Sequence, residues 1–174
     1  MSRSVLLLAT HHRFQGPHFP DFVEDKSYGI LVEKCISVRR IDFVFEEAGK
    51  RGPSSAEEFA NSLIGPGHYL NIDHPRNALR KYGIREDIET TTGHWIDERD
   101  KSVGKYDCQD IDAHRSREVR WLQGIEAQQF ETGLVICGVA HSLSFAFRLQ
   151  KVGFIVELCS YLPYDKLCAR PHVE

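Results

Sequence analysis

Apolar positions fall into two kinds of run along this chain. Val5-Leu6-Leu7-Leu8-Ala9, Leu134–Cys137 and Phe154–Leu158 are short and unbroken, and Ile41–Phe45 nearly so. Strands of a parallel sheet read this way because both of their faces are buried. His68–Ile72 is a further candidate strand. Between these runs apolar residues recur at helical spacing. Val23, Tyr28, Leu31, Val32, Cys35 and Ile36 predict a helix from Phe22 to about Arg39. After Pro53, two overlapping capping boxes, Ser54 with Glu57 or Ser55 with Glu58, open a helix to about Leu63. Ile111, Val119, Leu122, Ile125 and Phe130 supply the stripe of a helix from Asp112 to about Phe130, with Trp121 at its margin and Gly133 as its stop. Leu143, Phe145, Phe147, Leu149 and Val152 predict one more helix, entered by a tight Gly138-Val139-Ala140 turn and stopped by Gly153. A two-turn helix is expected over Pro75–Tyr82, then a long polar loop with some helix over Gly83–Asp110. Strand–helix alternation of this kind predicts a single layered α/β domain over residues 1–174, with a mostly parallel central sheet flanked by helices.

Composition narrows the function classes. The chain of 174 residues carries a net charge of −3, which argues against a general nucleic-acid binder. No apolar run approaches the roughly 18 residues of a membrane span. The apolar part of MSRSVLLLAT is too short for a secretory signal, so a cytoplasmic protein is expected. The five cysteines, Cys35, Cys108, Cys137, Cys159 and Cys168, show no paired spacing and read as reduced thiols.

The candidate chemistry sits where strands end. His11 and His12 follow the first strand, Glu46 and Glu47 the second, and Asp73 the third. His141 stands where the last helix begins. Parallel strands joined by crossovers all finish on one edge, and ligands of open α/β sheets bind there. Two histidines and a carboxylate suffice to hold a catalytic zinc or manganese ion with a position left for water. His12, Glu46 and His141, with His11, are therefore the candidate ligands. Three of the strand-end residues also have an ordinary structural explanation: His141 as a helix cap, Glu47 as a solvated loop charge, Asp73 as a turn or cap. HExxH, GxSxG, Walker-loop and GxGxxG motifs are absent.

Gly138-Val139-Ala140-His141, followed by an amphipathic helix, a glycine and a strand, resembles the second GxxH motif of the TraB/TIKI group, which is similar to the erythromycin-esterase and ChaN-like folds. Ala9-Thr10-His11-His12 resembles the group's first motif, commonly Gly-Thr-x-His, with Ala9 in place of the glycine. Glu46 resembles its glutamate, and Arg117-Glu118-x-x-Trp121-x-x-x-Ile125 its arginine-containing helix. The resemblance is best over roughly Arg117–Leu158. It implies a metal-dependent, hydrolase-like site with His12, Glu46 and His141 as ligands and Arg117 stabilising transition-state charge.

The leading expectation is a divalent-metal-dependent hydrolase acting on an ester, amide or phosphoester of a small-molecule or peptide substrate. Glu46 or Glu47 would be the general base if only one of them binds metal, and Arg117, with Glu118 beside it, would belong to the catalytic set. The alternative is a non-catalytic protein that binds an anionic small molecule through Arg117, Arg13 and the start of the helix after Gly138. A protein-interaction role has no specific support in the sequence.

Overall fold

The computed structural model describes residues 3–16, 22–48, 53–73 and 108–163, with backbone alone for 108–116. In chain order the elements are β1 (Ser4–Thr10), α1 (Lys26–Val38), β2 (Phe43–Glu46), α2 (Ser55–Leu63), β3 (Tyr69–Asn71), α3 (Cys108–Glu126), β4 (Thr132–Gly138), α4 (Val139–Lys151) and β5 (Ile155–Tyr161). Contacts divide the chain into two compact units, Met1–Asn71 with Gln128–Glu174, and Ile72–Ala127.

The first unit is built on a sheet of five described strands in the order β3-β2-β4-β1-β5, with every pairing parallel. The expected α/β architecture is thus present. Leu7 stands opposite Val135 on one side and Leu158 on the other, and Glu46 opposite Ile136. Alternation divides the strand residues between two faces. Leu6, Leu8, Val44, Leu134 and Ile136 form one core with Tyr28, Val32, Cys35 and Ile36 of α1 and Ala56 and Ala60 of α2. Val5, Leu7, Ala9, Val135 and Cys137 point the other way and are equally buried, on the face where α4 packs with Phe145 and Leu149. β1, β2 and β4 are therefore covered on both faces, as unbroken apolar strands require, whereas the edge strand β5, read from the same kind of run, leaves Ile155 61% and Leu158 43% exposed.

The order of the strands locates the site. The chain leaves β1 through α1 toward β2. It leaves the neighbouring strand β4 through α4 toward β5, on the opposite face. The crevice beyond the ends of β1 and β4 is consequently a topological switch point, the usual ligand position of an open α/β sheet.

Several local expectations are corrected. Helix α1 starts at Lys26, because the Asp25 side chain caps it by accepting from the Ser27 amide at 3.0 Å. Of the two capping boxes, Ser54 is the cap, accepting from the Glu57 amide at 3.1 Å. Helix α3 ends at Glu126, and Gly133 lies inside β4 rather than stopping a helix. A Cβ at position 133 would meet the Phe130 ring at 2.9 Å, so glycine there serves packing. No turn intervenes between β4 and α4: Gly138 ends the strand and is itself the helix N-cap. The buried face of α4 is His141, Ser142, Phe145, Ala146 and Leu149, whereas Leu143 and Phe147 are 75% and 67% exposed. Positions 141, 145 and 149 recur at helical spacing, which puts 143 and 147 on the far side.

In the second unit, Trp121 and Ile125 of α3 are fully buried, and the charged residues Arg117 and Glu118 are buried too, at 8% and 2% exposure. Arg117 donates from Nη2 to Asp73 Oδ1 at 2.8 Å, and its guanidinium lies 5.2 Å from the centroid of the Trp121 ring. A paired, stacked guanidinium is one of the few charged groups that tolerates burial. Pro75–Tyr82 and nearly all of Gly83–Asp110 lie outside the described residues. No helix among the described residues is long and apolar enough to cross a membrane.

Candidate functional site

At the switch point the strand ends bring three of the expected groups together. His12 follows β1 as the first residue of a short 3₁₀ turn, His12–Phe14. Glu47 directly follows β2 and stays in the sheet, its amide donating to the Ile136 carbonyl at 2.8 Å. His141 is the third residue of α4, not its cap. Nε2 of His12 lies 3.6 Å from Glu47 Oε1, and Nε2 of His141 lies 3.9 Å from the same oxygen. The second carboxylate oxygen, Oε2, accepts the Gly138 amide at 2.8 Å. Glu47 and His141 are buried, and the His12 side chain is 27% exposed.

Gly138 explains why this strand end needs a glycine. A Cβ there would stand 2.8 Å from His12 Nε2, 3.1 Å from its Cε1 and 3.4 Å from Glu47 Oε2. The imidazole packs directly over the bare Cα. Gly138 is thus part of the site, a role the sequence signals only through the Gly-x-x-His spacing.

Neighbouring residues at the end of β2 point to opposite faces. Glu47 turns toward the α4 face and the two imidazoles. Glu46 turns toward the α1–α2 face, where its side chain is fully buried. Ser54 Oγ and Tyr69 Oη, the latter at 2.9 Å, donate to Glu46 Oε2, and Gln15 Nε2 donates to Oε1 at 3.2 Å. Burial pushes the Glu46 carboxyl up to about 7, even though all three hydrogen bonds favour the charged form. The sequence reading set Glu46 among the ligands and Glu47 as a base; by position, the carboxylate between the histidines is Glu47.

The other candidates make contacts of their own. His11 caps the 3₁₀ turn, its Nδ1 accepting from the Arg13 amide at 3.5 Å, with its ring edge-on to Phe14 at 6.5 Å. Arg117 and Asp73 are tied to each other in the second unit, where Glu118 is buried as well. Burial raises the thiols of Cys35 and of Cys159, the latter to about 11. Gln15, Ser54 and Tyr69 complete the surroundings of the site. Sequence reasoning found Ser54 only as a helix cap and missed the other two, since buried side-chain hydrogen bonds leave no periodic signature.

The donors at the switch point, two imidazole nitrogens and one carboxylate oxygen, are the chemistry that zinc or manganese takes. Ligand atoms on one tetrahedral ion with bonds of about 2.0–2.1 Å are about 3.3 Å apart. The 3.6 and 3.9 Å separations here are wider than that. As placed, no group of three or more His, Cys, Asp or Glu among the described residues is arranged to hold an ion. The donor chemistry fits, and the spacing is open by a few tenths of an ångström along these two edges. No family model matches this chain, and no curated protein matches it.

Proposed function

We propose that this chain is a divalent-metal-dependent hydrolase of an ester, amide or phosphoester, with His12, Glu47 and His141 as the residues that hold zinc or manganese. The observation that carries the proposal is one buried carboxylate oxygen flanked by two imidazole Nε2 atoms at a topological switch point. The resemblance of Gly138–His141 to the TraB/TIKI GxxH motif supports the same reading. When bound, such an ion supplies Lewis acidity and a water that ionises near neutral pH.

The chain's own groups supply the rest. The Gly138 amide pins Oε2 of Glu47, which leaves Oε1 directed at the imidazoles. Helix α4 begins at this edge without a side-chain cap, and its first amides present partial positive charge to an oxyanion. Arg117 has no step in this account, because it is committed to Asp73. The same uncapped helix start favours the second reading, a binding protein for a phosphate or carboxylate compound.

Elemental analysis of protein purified without an affinity tag tests the proposal, beside His12→Ala and His141→Ala. The expected result is one zinc or manganese per wild-type chain and loss of metal and of ester or phosphoester turnover in both variants. Wild-type protein that contains no metal, takes up neither ion on titration, and binds inorganic phosphate would refute the metal reading in favour of the second.

A further inference from the structure

The hydrogen bonds around Gln15 carry a consequence for His12. Gln15 is fully buried, and its Nε2 lies 3.2 Å from Glu46 Oε1 and 3.1 Å from the Glu47 carbonyl, a group that can only accept. The carboxamide is therefore oriented one way round, with Oε1 toward His12 Nδ1 at 2.7 Å. An amide oxygen cannot donate, so Nδ1 of His12 must. A neutral His12 ring then carries its lone pair on Nε2, the nitrogen that faces Glu47 Oε1. Glu46 is locked in its turn. Ser54 and Tyr69 occupy its Oε2, which leaves Oε1 to receive Gln15.

We infer that Glu46 and Gln15 are positioning residues that act across the sheet: Glu46, from the α1–α2 face, together with the Glu47 carbonyl, orients the Gln15 carboxamide so that His12 presents an unprotonated Nε2 at the switch point. The inference rests on reading His12, Glu47 and His141 as the working site. It follows the general pattern in which a ligand histidine is fixed by a hydrogen bond to its other nitrogen, and in which loss of that partner weakens metal binding about 10- to 100-fold. Here the fixing group is itself fixed, one step further out, by a carboxylate on the opposite face. Neither side chain is given contact with a substrate.

Long-range ¹H–¹⁵N correlation spectra of histidine-labelled protein without added metal read the tautomer directly. Wild-type His12 is expected to carry its proton on Nδ1. In Glu46→Gln, Ser54 and Tyr69 hold the new carboxamide by its oxygen, so its NH₂ group faces Gln15. Gln15 then meets a donor at position 46 while the Glu47 carbonyl still accepts its NH₂ group, so the Nδ1–H preference of His12 is expected to fall and part of the population to carry the proton on Nε2. Gln15→Met removes the acceptor and abolishes the Nδ1–H preference. Zinc affinity is expected to fall about 10- to 100-fold in either variant.

A wild-type ring protonated on Nε2 would overturn the inference without any variant. So would an unmoved Nδ1 proton in a folded Glu46→Gln or Gln15→Met protein. A tautomer that follows Glu46 in a chain that binds neither zinc nor manganese supports the relay while removing the hydrolase reading. Metal bound by a chain whose tautomer ignores Glu46 does the reverse.

Discussion

Gly138→Ala separates the site from the fold more cleanly than removing a ligand does. Gly138 has φ −61° and ψ 143°, a conformation that alanine adopts without strain. The backbone therefore raises no objection, and the whole effect falls on the side chains above it. The new Cβ would stand 2.8 Å from His12 Nε2, where ordinary contacts begin near 3.4 Å, so the imidazole must retreat by at least about 0.6 Å. It can retreat, being partly exposed, but doing so strains its 2.7 Å bond to Gln15. A hydrogen bond of this kind contributes about 1 kcal/mol. Against that loss stands a gain of about 0.4–1 kcal/mol, because alanine restricts the unfolded chain more than glycine does. Stability should thus stay within about 1 kcal/mol of wild type, a shift of roughly 2–4 °C in Tm for a chain of this size. Metal binding should suffer far more, with one of three ligands displaced: a loss on the order of 100-fold or greater, beyond the usual cost of disturbing a supporting partner. Thermal melting, calorimetric titration with zinc or manganese, and the His12 ring resonances measure the three quantities. A Gly138→Ala protein with wild-type affinity and unshifted His12 resonances would refute the packing argument, and a large loss of stability would show that Gly138 serves the fold rather than the site.

Two further predictions concern the buried groups of the α1–α2 face. Glu46 ionises at about 7 in the folded chain, pushed up by burial, against 4.5 for an ordinary glutamate, so the native state keeps a proton that the unfolded chain releases. Its contribution is therefore favourable below about pH 4.5 and is lost as pH rises through about 7, by roughly 3 kcal/mol in all. Denaturant melts from pH 5 to 8 should show wild type losing stability relative to Glu46→Gln across that window, and parallel curves would refute the assignment. Tyr28 is 1% exposed, and its hydroxyl has no hydrogen-bond partner among the described residues; burial, with the nearby Glu46 carboxyl second, holds its ionisation well above the ordinary range. Tyr28→Phe keeps the shape and removes the unsatisfied group, so it should leave stability unchanged or raise it by about 1 kcal/mol; a loss of more than that in chemical denaturation would show that the hydroxyl is satisfied in solution.

How much of this was legible depended on which physical signal each feature leaves. β1 and β4 read off the chain because a strand buried on both faces must be apolar throughout, and Val5–Ala9 and Leu134–Cys137 are. The convergence of His12, Glu47 and His141 followed from parallel strands ending on one edge. The division of labour between Glu46 and Glu47 did not, because a two-residue period exchanges faces with every step and strand ends are read only to within a residue or two. The buried stripe of α4 was missed for a related reason. Its first member is His141, a polar residue, so the apolar positions Leu143 and Phe147 suggested the wrong face. Gln15 left no trace at all: one amide in a loop is decided by tertiary hydrogen bonds alone.

The site's precision comes from the sheet rather than from loops. Glu47 is placed by the last rung of the β2–β4 ladder through its amide, and held a second time by Gly138, the last residue of β4, through Oε2. His12 follows directly on β1, whose Thr10 stands opposite Gly138, and packs onto that same glycine. His141 is one turn into the helix that Gly138 caps. Each of the three groups thus touches or follows Gly138, in the strand flanked on both sides by those that deliver His12 and Glu47. A shift of β4 by one residue would move a side chain into the space of the His12 ring and turn the carboxylate's hydrogen bond elsewhere. Register, which burial of both faces already specifies strongly, therefore sets the spacing of the three groups. That is why a substitution at position 138 can abolish the site while leaving the fold intact, whereas no disturbance of the β1–β4 pairing can spare the site.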